Sequence, residues 1–301
     1  MKLEFGYLPT KLDVGGADWS ISTLPDLDAQ VAWVEDHPNI REGWIYPGNR
    51  QRQEWPSGKT SEDPFNIRVF GLPKTHVLSL DASDDIEHLK FVIWVLSFFY
   101  GIRLTSETNG FLDAATSSPG MLVDFIIGTS AESAVALAKA FWTTSVDDPA
   151  QAKRFAAAVH ALFMAQGKQL LQFEKFIYSY TALDACFVLL KNGKSRTGGN
   201  PTHAKRTQWM CEKTGVPVPD WASVGPNGST QISALRNDAM HEALFAGAPF
   251  GFELIEDSVK RNLPLEMKHL TCRLLATIID VADKNYVGMR TDIYAGHWLH
   301  L

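Results

Sequence analysis

No run of apolar residues in the chain reaches the roughly 20 needed to cross a bilayer. The longest, "FVIWVLSFFYGI" at 91–102, has twelve residues including a serine and reads as a buried helix. The opening "MKLEFGYLPTKLD" has no apolar stretch of signal-peptide length, so no secretion signal is read there. Cysteine is scarce: Cys186, Cys211 and Cys272 lie far apart, match no zinc or redox spacing, and read as reduced core thiols of a cytoplasmic protein. Positive charge is not in excess either. A net charge of −6 and a pI near 5.8 exclude a surface that is basic all round, and confine any polyanion site to a local patch.

Several catalytic signatures are also missing. There is no G-x-S-x-G elbow and no H-E-x-x-H. The glycine-bearing "SRTGGNPTHAKRT" lacks the Gly-Lys-Ser/Thr ending and the preceding strand of a phosphate loop. His297 and His300 in "AGHWLHL" have a two-residue spacer but no third ligand nearby, so no metal and no cofactor is expected.

What is present is an ordinary globular composition, 45% hydrophobic and 21% charged, over 301 residues, enough for about two domains. Residues 1–80 carry short β-favouring runs, "LEFGYL", "WSIST", "GWIYP", "FNIRVF" and "THVLSL", between Gly and Pro. They predict an antiparallel sheet region, a small sandwich or partial barrel. One long helix follows, with Asp84 as N-cap and Glu87 three residues on, running to about Tyr100. "MLVDFIIG" predicts one more buried strand.

From Ser130 the pattern turns helical. "SAESAVALAKAFW" is a first helix, and a second opens with Asp148 as cap and Pro149 at the first helical position. In "KQLLQFEKFIYSYTALDACFVLLKNG" the residues Leu170, Phe173, Ile177, Tyr180, Leu183, Phe187 and Leu190 recur every three or four positions, one buried stripe. "THAKRTQWMCEKTG", "STQISALRNDAMHEALF" and "LEMKHLTCRLLATIIDVADKNY" complete a bundle. The fold class is therefore α+β: a β-rich domain with one long helix at 1–130, then a helical domain at 131–301.

The stretch "ALRNDAMHEALF" at 234–245 carries the chemistry. Arg236 and His241 are five positions apart, about 140° around a helix. Asn237 and His241 are one turn apart. A histidine that exchanges protons near neutral pH and an arginine that grips phosphate are the minimal kit for moving phosphoryl groups without metal. Because one helix spreads the pair around its axis, two copies facing each other across a two-fold axis would pool them. The alternative is two ordinary polar residues on a half-apolar helix. Glu174 and Asp184 are weaker candidates, read as solvated or capping groups. The loop 191–213 sets Lys191, Lys194, Arg196, Lys205, Arg206 and Lys213 against Glu212 alone, a patch suited to a phosphate backbone or simply a solvated loop.

A long helix "FEKFIYSYTALDACFVLL", a polar loop, a helix with "LRNDAMHE" and a closing apolar helix together resemble the HEPN superfamily, in its Apea-like branch, over roughly residues 150–301. Arg236, Asn237 and His241 match that family's R-x4-6-H pattern with a four-residue spacer. The resemblance implies a helical HEPN-like bundle and a metal-independent endoribonuclease. It further implies a homodimer through that bundle, a single cleft built by both copies, and a role in phage defence or a toxin-like system. RNA would be the partner, with Arg236, Asn237 and His241 catalytic and Lys194, Arg196, Lys205 and Arg206 holding RNA. The amino-terminal domain would sense a protein or ligand trigger. Toxin members commonly carry a tyrosine two residues after the histidine; this chain has Ala243 there, a departure from the AMP-modifiable type. The competing expectation is a non-catalytic dimerisation or partner-binding module.

Overall fold

Alternating apolar and polar side chains in "WSIST" and "HVLSL" pin the first sheet, because one face of each strand must be buried. In the computed structural model, which describes residues 1–63, 71–81, 83–107, 114–127, 131–192, 201–242, 262–293 and 296–301, the chain divides into two units at 1–122 and 123–301. It is a mixed α+β protein.

The first unit runs β1 (Lys2–Phe5), β2 (Val14–Gly15), β3 (Trp19–Thr23), α1 (Leu27–Glu35), β4 (Ile40–Arg41), β5 (Trp44–Ile45), β6 (Arg50–Gln53), β7 (Thr60–Asp63), β8 (His76–Leu80), α2 (Ile86–Tyr100) and β9 (Ala115–Thr116). An antiparallel sheet orders its strands β1-β8-β3-β2, with Leu78 opposite both Leu3 and Ile21. β4, β5 and β9 form a smaller antiparallel sheet, and β6 and β7 an isolated hairpin. Among the described residues of this unit the strands thus form three separate sheets; the strand expected at 65–70 lies outside the described residues.

Helix α2 matches the apolar run, with Phe91, Val92, Val95 and Phe98 in the core. Its cap is Asp85 rather than Asp84. Extended backbone at residue 85 turns that carboxylate onto the Glu87 N–H at 2.9 Å, and Gly101 in the left-handed region closes the other end. Helix α1 was not expected: only Leu27 and Val34 are buried along it, too few to leave a helical period in the sequence.

The second unit runs β10 (Phe125–Ile127), α3 (Ala131–Thr144), α4 (Ala150–Met164), α5 (Gln172–Asn192), α6 (Arg206–Thr214), α7 (Gln231–His241), α8 (Leu263–Ile278), α9 (Lys284–Val287) and β11 (His297–Leu299). β10 pairs in parallel with β11, Phe125 opposite His297, so this strand belongs to the second unit although it precedes residue 130. α4, α5 and α8 pack on one another. With α4 and α8 both against it, α5 buries Phe176, Ala182 and Cys186 as well as the expected Tyr180, Leu183 and Phe187. Phe173, Ile177 and Leu190 of the expected stripe are half-buried.

The helix expected over 265–286 is broken in two. Asp280 adopts a left-handed φ of 70° after α8, and Asp283 then accepts hydrogen bonds from the Asn285 and Tyr286 amides to start α9. The break lets Tyr286 turn inward. Its hydroxyl donates to Asp124 Oδ1 at 2.6 Å, while Arg273 Nη1 donates to Asp124 Oδ2 at 2.6 Å and Arg273 Nε to the Met289 carbonyl at 3.0 Å. Both charged side chains are shut from solvent, Arg273 at 0% and Asp124 at 3% exposure.

Cys186, Cys211 and Cys272 are unpaired and buried. Burial pushes the Cys211 thiol up to about 12, which leaves it protonated and inert. No described helix is long and apolar enough to cross a membrane.

Candidate active site

Helix α7 begins where Thr230 Oγ1 accepts from the Ser233 amide at 3.3 Å. Ile232, Ser233 and Ala239 face inward, which leaves Arg236 half-buried and Asn237 and His241 exposed on the other side. Arg236 Nη1 donates to Asn237 Oδ1 at 3.3 Å and also contacts His241 Nε2. A guanidinium has donors only, so a hydrogen bond between them has Nε2 as its acceptor.

This contact corrects the separation expected from the helical angle. The 140° describes where the two side chains leave the helix, whereas the long arginine arm spans the gap to His241, the last residue of α7. One chain brings the pair together by itself.

Two further elements supply neighbours. On α5, Tyr180 OH lies 3.2 Å from Nε2 of His203, and the two rings stack with centroids 5.8 Å apart. His203 opens a 3-10 turn, His203–Lys205, that leads into α6. Its Nδ1 is 3.5 Å from Ser233 Oγ, one turn ahead of Arg236 and Asn237 on α7. One turn beyond Tyr180, Asp184 accepts from Arg206 Nη1 at 3.2 Å, and the Arg206 guanidinium lies 4.5 Å from the centre of the Phe187 ring.

The electrostatics tie these groups together. Burial holds the His203 imidazole below its usual pKa; the charges of Arg206, Arg236 and His241 push it the same way, and Asp184 pulls against them. Burial, then the Asp184 carboxylate, raise the Tyr180 phenol, against the opposing pull of Arg236 and Arg206. Tyr180 is therefore a fixed O–H donor at neutral pH.

Arg236, Asn237 and His241 thus meet, while the other expected residues divide. Lys205 is exposed at the end of the 3-10 turn. Arg206 is committed to Asp184 and Phe187, so it offers less to a phosphate than its charge implies. Lys213 donates to the Leu190 carbonyl at 2.6 Å and lies over Trp209, closing the end of α5. Lys194 and Arg196 lie outside the described residues. Glu174 caps, its Oε2 accepting from the Leu171 amide at 2.8 Å. His297 is buried edge-on to Tyr286, and the His300 amide donates to Asp283. Among the described residues no three His, Cys, Asp or Glu side chains converge as metal ligands would.

His203 was not singled out from sequence, and Tyr180 was read only as part of a buried stripe. The one available signal was that both are polar-tipped rings beside segments already of interest. No family model, curated protein or solved structure matches the chain, so the chemistry of this cluster is argued from its geometry.

Proposed function

We propose that the second unit is a HEPN-like helical bundle acting as a metal-independent endoribonuclease, and that the β-rich first unit senses a trigger or docks a partner. The observation that carries this reading is the contact of Arg236 with His241 at the solvent-exposed end of α7. An RNA phosphate entering there meets a guanidinium able to hold two of its oxygens and to stabilise the charge that grows in the transition state. His241 moves protons. Asn237 orients the guanidinium, which it already bonds. The reaction is attack of a 2′-hydroxyl on the adjacent phosphodiester. A cytoplasmic role in phage defence or a toxin-like system accords with such chemistry. Incubating the protein with a mixed RNA pool in EDTA tests the proposal: products ending in 2′,3′-cyclic phosphate support it, and an intact pool rejects it.

The unit is further proposed to form a two-fold homodimer that sets two such pairs in one cleft. Since each chain already joins Arg236 to His241, the dimer would shape the cleft rather than complete the pair. Light scattering at micromolar concentration should give twice the chain mass; a monomer that cuts RNA at full rate would remove the shared cleft.

Lys205 is proposed to hold the RNA backbone. With a 2′-O-methyl RNA that cannot be cut, Lys205→Glu should weaken binding and flatten its salt dependence by roughly 0.7 in log–log slope, the share of one phosphate contact. Arg206→Glu should weaken it less, because its partner Asp184 already takes the charge. An unchanged slope in Lys205→Glu would take Lys205 out of the site.

A second reading has its own observation: Met240, beside His241, is 52% exposed, as a residue covered by a partner would be. The trio on α7 would then be an interface network without catalysis.

A further inference from the structure

Cleavage of RNA by its own 2′-hydroxyl needs two proton transfers, one off the attacking oxygen and one onto the departing oxygen, and Arg236 can perform neither. His241 can serve one of them. The cluster holds a second imidazole, and its placement is specific. His203 is clamped between two helices, under the ring of Tyr180 on α5 and beside Ser233 on α7. Ser233 stands one turn before Arg236 on the same helix, and the charges of both Arg236 and His241 act on the His203 ring. It is half-buried.

We infer that His203 is the general base of this site, taking the proton of the attacking 2′-hydroxyl while His241 supplies a proton to the departing oxygen and Arg236 holds the phosphate between them. The inference rests on the nuclease reading and deepens it. Tyr180 OH lies 3.2 Å from Nε2 and 3.4 Å from Nδ1, over the face of the stacked imidazole, and Ser233 Oγ lies 3.5 Å from Nδ1; with Nδ1–H directed to Ser233, the in-plane lone pair of Nε2 takes the substrate hydroxyl. Arg236 turns from His241 to the phosphate. That frees His241 Nε2 to serve the departing oxygen as proton donor.

The step balances. A lone pair on the 2′-oxygen forms the new P–O bond as the bond from phosphorus to the 5′-oxygen breaks. His203 gains the 2′ proton, His241 gives one to the 5′-oxygen, and solvent restores both rings. The products are a 2′,3′-cyclic phosphate and a 5′-hydroxyl.

A base must be neutral to act, so activity falls as pH drops through the pKa of His203 in the folded protein. Burial lowers that pKa below the usual value near 6.5, helped by Arg206 on α6 and by Arg236 and His241 on α7. Asp184 on α5 opposes them, the protonated Tyr180 contributes no charge, and exposed Lys205 adjoins in the same turn. The acid limb of the rate profile therefore lies below pH 6.5.

The test is kcat/KM against pH on mixed-sequence single-stranded RNA, with wild type, His203→Gln, Arg206→Gln and His241→Ala. His203→Gln should fold as wild type does, lose about 10²–10⁴-fold in rate and lose the acid limb with it. Arg206→Gln should move the acid limb to higher pH, because it removes a cation near His203 and releases the carboxylate of Asp184. A His203→Gln protein with the wild-type rate, or a slowed one that keeps the acid limb, overturns the assignment, the second outcome marking a purely structural histidine. If the wild type cuts and His241→Ala does not, the nuclease reading stands whatever His203→Gln does. A wild type that cuts RNA at no pH ends both.

Discussion

His241→Ala and Arg236→Ala should each slow RNA cleavage by about 10²–10⁴-fold while changing the stability of the second unit by no more than about 0.5 kcal/mol. The first figure follows from losing a proton donor or the guanidinium in contact with it. The second follows from exposure: His241 and Asn237 are solvent-facing and Arg236 is half-buried, so truncation removes little packing. An interface network would respond the other way. Each truncation would strand a polar partner at about 1–3 kcal/mol and loosen the dimer. Melting temperature, dimer mass and cleavage measured on the same two variants separate the possibilities. Variants that lose the dimer, made from a wild type that leaves RNA whole, would end the nuclease reading.

Asp124→Ala should destabilise the second unit by about 3–5 kcal/mol. The carboxylate accepts from both Arg273 and Tyr286 where neither charged side chain reaches solvent. Without it Arg273 keeps the carbonyls of His269, Met289 and Arg290 and the face of the Tyr286 ring, but no counter-charge among the described residues. A positive charge would be left in the core. Removing that charge as well, in Asp124→Ala with Arg273→Met, should recover part of the loss, since a buried pair is held by its members' mutual need more than by net gain. Urea unfolding of the three proteins checks this. A double variant as weak as the sum of both single changes would mean that the two residues are not coupled.

How much of this was legible beforehand varied with the range of the interaction. Strands β3 and β8 and helix α2 declare themselves locally, through alternation or a long apolar run with an acidic cap. Arg236, Asn237 and His241 were legible as candidates because they share one helix. That Arg236 reaches His241 was not: helical angle counts where side chains start, not how far a guanidinium extends. His203 and Tyr180 were hidden for a different reason. They come from elements set apart in the sequence, and stacked rings leave no spacing pattern. The hairpin β6–β7 was missed because "RQRQ" has neither alternation nor β-branched residues, and both its strands lack a buried face to impose one. The break between α8 and α9 was missed because an aspartate, not a glycine or proline, makes the turn at residue 280.

The pairing of β10 with β11 sets an order in time. Phe125 meets His297, and the buried carboxylate at 124 meets Arg273 and Tyr286, so the ends of the second unit's sequence close on each other around everything between. Such long-range closures come late in folding, since the loop entropy must be overcome before the contacts form. A chain shorter than 297 residues already carries α7 with Arg236 and His241 but lacks the pairing of β10 with β11. Under the proposed nuclease reading, the residues of the site are therefore made before this closure can form.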